Sequence, residues 1–280
     1  MNIFKKIIIS LVLPLSLISN AQASQYETKR FTAGPVIVHR SYSEDLLKPK
    51  KSDEYGILYG LTMNVEELRP KSYYYGFEGS FLRGNVTYDG SQSNSITNVT
   101  TPFKGTTTSH IFNIEGRLGY NYVLDNKTFL TPFVGLGHHC WFRGEIHERK
   151  NDYSEEYNWH YLAFGAKFRK EISDKLCIEF NAKLMQMVDG EMTASLLPHN
   201  VFELGNKLNF ELEAPINYAP DCLANDSFFS SIQITPYYQN LNIGKSADVV
   251  VIRSPFLITY VEPSSKTHVY GTKIELVRKF

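Results

Sequence analysis

Polar and apolar residues alternate along most of this chain. From His110 to Leu124 one row reads Phe112, Ile114, Gly116, Leu118, Tyr120, Tyr122 and Leu124. The row between reads Asn113, Glu115, Arg117, Gly119 and Asn121. A strand turns successive side chains to opposite faces, whereas a helix repeats its apolar positions at three or four. The period of two therefore predicts an extended segment with one apolar and one polar face. The same alternation recurs over 55–63, 73–81, 130–142, 162–168, 176–184, 208–216, 232–238 and 270–276, and more weakly over 31–39.

Ten strands are thus predicted, and their connections alternate in length. Short turns fall at 66–72, 125–127, 173–175 and 219–227, and longer polar segments at 40–54, 89–109, 146–156, 189–203 and 245–267. The pattern predicts an all-β fold: a closed antiparallel transmembrane barrel with short periplasmic turns and long outer loops. Closure is required because an open edge leaves backbone groups unpaired in hydrocarbon. An even strand count places both ends of the barrel on the short-turn side. The segment Asp248–Glu262 holds two short apolar runs that would raise the count to twelve. Pro255 interrupts them, which favours a hairpin within a loop.

The first 23 residues read as an export signal. Lys5 and Lys6 precede an apolar core from Ile7 to Ile18, and Ala21-Gln22-Ala23 fits the small-x-small rule, so cleavage is expected after Ala23. The barrel domain then spans 24–280, and the expected address is the outer membrane of a Gram-negative bacterium. No later segment reaches the roughly 18 apolar residues of a spanning helix. The 29 basic and 29 acidic residues cancel, which gives no reason to expect nucleic acid as a partner. Tyr and Phe number 18 each, as expected where aromatic girdles meet two membrane interfaces.

Two stretches carry a family resemblance. Residues Phe129 to Gly137 read Phe-Leu-Thr-Pro-Phe-Val-Gly-Leu-Gly, which resembles a strand motif common in small outer-membrane barrel proteins. Leu118-Gly119-Tyr120 belongs to the same pattern, and Pro236-Tyr237-Tyr238 is a weaker echo. The C-terminus resembles the last-strand signal read by the barrel-assembly machinery, with Gly271, Ile274, Leu276 and the terminal Phe280. It departs at Val269, where a polar residue is usual, and at Arg278, which falls in the lipid row. The resemblance implies fold, location and an assembly partner; it implies no activity.

The row opposite each lipid row predicts the lumen. Its acids are Glu78, Glu115, Glu145, Glu179, Glu211, Glu213 and Glu275; its bases are Arg117, Arg143, Lys167, Arg169, Lys183, Lys207 and Lys273. A barrel this narrow would pair them across its interior. The balance of signs suits a salt-bridged interior better than an ion-selective pore. Cys177 and Cys222 flank neighbouring short-turn connections and form a candidate disulfide, with Cys140 a small apolar residue of the lipid row.

Enzymatic chemistry finds little support. His138, His139, His147, His160 and His199 lie near the predicted outer half, but none sits in the His-x-Ser-Asn arrangement of barrel-borne lipid hydrolases and acyltransferases. Nor does a pair of Asp at a strand top match the ten-stranded aspartyl proteases of this membrane. A non-enzymatic protein is expected, with no cofactor and no metal. Its outer loops carry interaction or its wall supports the membrane, in contact with outer-membrane lipid and lipopolysaccharide. The polar tip Asn94–Thr101 is a candidate surface for an extracellular ligand. A narrow solute channel is the first alternative and a lipid-modifying enzyme the second.

Overall fold

A computed structural model describes residues 29–94, 99–149, 152–197, 199–220, 223, 228–253 and 256–280. The predicted signal segment, Cys222 and the loop tip around 95–98 lie outside the described residues. The chain is all-β. Its strands are β1 (Lys29–Glu44), β2 (Ser52–Glu67), β3 (Tyr73–Asn94), β4 (Val99–Tyr120), β5 (Tyr122–Asp125), β6 (Thr128–Arg143), β7 (Glu155–Ser173), β8 (Leu176–Ala194), β9 (Val201–Leu204), β10 (Leu208–Glu213), β11 (Ile216–Tyr218), β12 (Ser231–Ile243), β13 (Val249–Arg253), β14 (Phe256–Tyr260) and β15 (Ser265–Lys279).

Thirteen of these segments form ten barrel staves. β5 continues β4 beyond Asn121, and β9, β10 and β11 run in line beside β8 as one broken strand. All pairs are antiparallel, and the sheet closes where β15 joins β1 on one side and β12 on the other. Lys29 and Phe280 exchange both backbone hydrogen bonds at 2.9 and 3.0 Å, so the seam is sealed to its last residue. β13 and β14 pair only with each other, as the hairpin within the last long loop.

The alternation sorts as the sequence predicts. Leu61, Leu118 and Leu136 are 66–68% exposed on the outer wall, whereas Glu115 and Arg117, flanking Ile114 and Leu118 on the same strand, are buried inside. Tyr73, Tyr120 and Tyr122 cluster edge-on at the short-turn end, with ring centroids 4.8–5.9 Å apart, where a tilted ring suits a wet interface.

Two features depart from the expected outline. The segment 89–109 is mostly strand, not loop. β3 and β4 are 22 residues each, paired from Tyr73↔Tyr120 to Asn94↔Val99. A crossing needs about 9–11 residues, so half of this ribbon stands clear of the bilayer. Strand β1 runs on to Glu44, beyond the predicted His39. Its weak pattern has a cause: Val36 and Val38 face an apolar stretch of the lumen while Ile37 faces outward, so both faces are apolar in the middle of the strand.

Candidate functional site

Among the described residues the buried charged groups concentrate in the lumen, which is built in tiers. At the short-turn end Glu66 is wholly buried and pairs with both Arg30 and Lys167, while Arg30 also grips Glu179. Tyr74 donates its hydroxyl to Glu66 at 3.2 Å. One tier further in, Arg117 bridges Glu78 and Glu115. Lys183 sits 2.8 Å from Glu115 and 2.8 Å from Glu211, and Lys273 lies 2.7 Å from Glu78 and 2.7 Å from Glu213. Tyr161 donates to Glu115 at 2.8 Å. Each stave contributes alternate residues, so cross-strand neighbours such as Glu78 and Glu115 arrive side by side, and the bases between them keep like charges apart.

Above this network the interior turns apolar. Leu58, Met187 and Tyr157 are completely buried, packed with Val38, Leu82, Met185 and Trp159. Two glycines make the room. A side chain on Gly137 would sit 2.0 Å from the Tyr161 ring, and one on Gly165 would sit 2.5 Å from Phe133. Trp141 anchors the upper rim of this plug. Its indole N–H donates to Ser109 at 2.9 Å, its face stacks on Tyr157 at 4.5 Å, and the Arg40 guanidinium lies 3.9 Å from its ring centre. Weakly hydrated guanidinium suits such a position.

A third tier lies under the long loops. Glu54 takes Arg143 and Arg40, the latter at 3.4 Å, and Arg143 also reaches Glu155 at 2.8 Å. The last loop closes over it. Val249, Val251 and Tyr260 of the hairpin pack onto the apolar plug. Tyr157 donates its hydroxyl to Glu262 at 2.7 Å, and Ser246 and Glu262 hydrogen-bond each other at the base of the hairpin. Burial, then the neighbouring carboxylates Glu155 and Glu44, hold the Glu262 carboxyl well above the usual range.

The structure corrects part of the predicted lumen set. Glu145 is exposed in the loop after β6, because the strand ends at Arg143 and the chain turns away at Gly144. Lys207 is exposed in the break between β9 and β10, where the alternation loses its phase. Arg169 sits at the short-turn mouth against Glu171, its guanidinium 4.2 Å from the Phe129 ring centre. Glu275 accepts hydrogen bonds from Thr32, Gln233 and Thr235. The remaining predicted residues, Glu78, Glu115, Arg117, Arg143, Lys167, Glu179, Lys183, Glu211, Glu213 and Lys273, all stand in the tiers described. Sequence reasoning missed Arg30, Arg40, Glu54, Glu66, Glu155 and the apolar plug. The signal was present for the plug, since both Trp residues of the chain fall in the inward row of their strands.

Cys140 and Cys177 carry free thiols, and the other half of the expected disulfide, Cys222, lies outside the described residues. Ile274 and Leu276 face outward beside Gly271, and Arg278 is shielded by the Phe228 ring, 3.8 Å from its centre. The histidines do not converge. His138 and His160 face outward with ring centroids 4.8 Å apart, His139 stacks on Trp159 inside, and His147 and His199 are exposed in loops. Among the described residues no trio of His, Cys, Asp or Glu gathers that would hold a metal ion.

A closed ten-stranded wall with exposed apolar rows and an ion-paired lumen is joined by a direct family match. The outer membrane protein beta-barrel domain family matches residues 10–210. The chain belongs to that family. Its fold and its membrane location follow from the membership together with the barrel. No curated protein matches the chain. Among solved structures, the outer membrane protease OmpT of Escherichia coli is similar at 8% identity and a TM-score of 0.49, covering 93% of this chain and 99% of that one. The translocator domain of autotransporter NalP from Neisseria meningitidis is similar at 9% identity and a TM-score of 0.42, over 96% and 93%. The outer membrane protein OprG from Pseudomonas aeruginosa is similar at 11% identity and a TM-score of 0.37, over 90% and 96%.

Proposed function

We propose that this is a non-enzymatic outer-membrane protein that works at its outer surface and does not conduct solutes. One observation carries the reading: the lumen's long-loop half is filled by buried Leu58, Met187, Trp141 and Tyr157 and covered by the last loop. A pore would need a wet path at that level, and dense apolar packing leaves none to a solute. The outer parts offer contact surface. The long β3–β4 ribbon exposes Val99, the first loop exposes Leu47, and the free face of the β13–β14 hairpin exposes Val250 and Leu257. Apolar residues displayed on rigid β ribbons suit recognition of an extracellular partner. The wall itself would contact outer-membrane lipid and lipopolysaccharide. Export with cleavage after Ala23 and insertion by the barrel-assembly machinery through the Phe280 end belong to the same reading. Planar-bilayer recording of the purified barrel tests it. Silent bilayers are expected, and stable unit steps would favour the narrow channel instead.

A further inference from the structure

Arg83 is a charge without a partner on the outer wall. It is exposed, and among the described residues it has no ion pair, hydrogen bond or ring contact. Register fixes its height. Tyr73 pairs with Tyr120 in the girdle at the short-turn end, and ten residues farther along β3 Arg83 pairs with His110. A crossing takes about 9–11 residues, so this pair stands where hydrocarbon gives way to headgroups on the long-loop side. The outward row changes character there. Phe81 pairs with Phe112 just below, whereas Asn85 pairs with Thr108 and Thr87 with Thr106 above. The His110 ring is steadied between Phe81 and Phe142, with ring centroids 6.2 and 6.0 Å away. Tyr59 of β2 stands on the other side of Arg83.

Charge singles out this flank of the barrel. Among the described outward side chains of β2 to β4, the first carboxylates above the pair are Asp53 and Asp89, which lie farther out and meet Lys51 at 3.2 and 3.0 Å. The far flank has the opposite sign: the long-loop ends of β7, β8 and β9 carry Glu156, Glu191 and Glu203 outward, and no Lys or Arg. An unpaired guanidinium with an imidazole beside it, and an amide and hydroxyls just beyond, is a donor set for phosphate, which guanidinium grips through two parallel N–H bonds. Lipid headgroups are what a membrane brings to that height. We propose that this flank binds a phosphate of outer-leaflet lipopolysaccharide, with Arg83 as the charged contact and His110, Asn85 and Thr108 as hydrogen-bond donors. The site rests on reading the wall as embedded in outer-membrane lipid, and it fixes the point on that wall where a lipid phosphate docks.

The competing account lets Arg83 snorkel into water with no preference among lipids. Lipopolysaccharide titrated into the full barrel in neutral detergent separates the two. The thermal midpoint should rise with intact lipopolysaccharide and stay put with lipopolysaccharide stripped of its phosphates. R83Q keeps a polar side chain and removes the charge, so its affinity should fall about tenfold or more, because hydrogen bonds between charged partners are the strong ones. His110→Phe should weaken binding with the fixed charge unchanged, and Glu191→Gln on the far flank should match the parent. Without lipopolysaccharide, R83Q and the parent should melt together. Equal binding by parent and R83Q overturns the proposal, as do equal shifts with intact and phosphate-stripped lipopolysaccharide. An equal shift with inorganic phosphate alone overturns it too, by making the site one for the free ion. Silent planar bilayers together with a negative lipopolysaccharide result would sink this site and leave the proposed function standing.

Discussion

Glu66 offers the sharpest test of the lumen network. It is completely buried, it is the only described carboxylate paired with Lys167, and it also takes Arg30 and the Tyr74 hydroxyl at 3.2 Å. Glu66→Leu leaves Arg30 with Glu179 but removes the one described ion pair of the Lys167 ammonium, which keeps the Tyr74 ring at 5.5 Å and the attraction of the Glu179 carboxylate that Arg30 already holds. Removing one partner of a buried pair costs about 3–5 kcal/mol, since the other charge stays buried. With a urea dependence of about 2–3 kcal/mol per molar, the midpoint of the barrel in lipid vesicles should fall by about 1–2.5 M. Adding Lys167→Met removes the unpaired charge, and most of the loss should return, because well-packed apolar replacements of buried pairs are nearly neutral. A single-variant cost under about 1 kcal/mol, or a double variant no better than the single, would refute the claim that buried pairing organises this lumen.

Other outcomes follow from the same geometry. Leu136→Lys, two pairs deeper in the wall than Leu118, places a charge on the lipid face and should cost about 2–4 kcal/mol, whereas Arg117→Leu should be milder because Glu115 and Glu78 keep Lys183 and Lys273; folding yields into vesicles compare them. Trp141→Ala removes the buried rim of the plug and should cost about 3–5 kcal/mol in the same urea assay. The closed last loop holds a proton on Glu262 more tightly than an open one would. Closure is therefore favoured below the usual carboxylate range and weakens as pH rises through the raised value. Protease cleavage within 244–264 should be faster at pH 8 than at pH 5, and Glu262→Gln should flatten that dependence.

The outer wall was readable because lipid imposes one rule on every second residue: Ile114, Leu118 and Tyr120 stand out when Glu115, Arg117 and Gly119 lie between them. The same rule is silent about the interior. It permits Glu115 and it permits Leu58, and only three-dimensional packing decides between a charged tier and an apolar plug. Residues Glu145 and Lys207 fall outside the lumen for a related reason: the alternation over 130–142 does not carry past Arg143, and that over 208–216 does not reach back ahead of Leu208, where the strands end and begin. Arg30, Glu54 and Glu66 were overlooked because they stand beyond the clearest stretch of alternation on their strands, where the period of two fades before the barrel does. The outer half of the β3–β4 ribbon, 89–109, reads as a loop because it is polar and lacks an apolar row, although the Thr106-Thr107-Thr108 run favours strand.

The central claim is that hydrocarbon is the solvent for the apolar rows. Nitroxide labels at single cysteines along 112–119 of a cysteine-free barrel, read in liposomes, test it most directly. Collision with lipid-soluble oxygen should peak at 112, 114, 116 and 118 and drop at 113, 115 and 117. The opposite phase, or no period of two at all, would contradict the account.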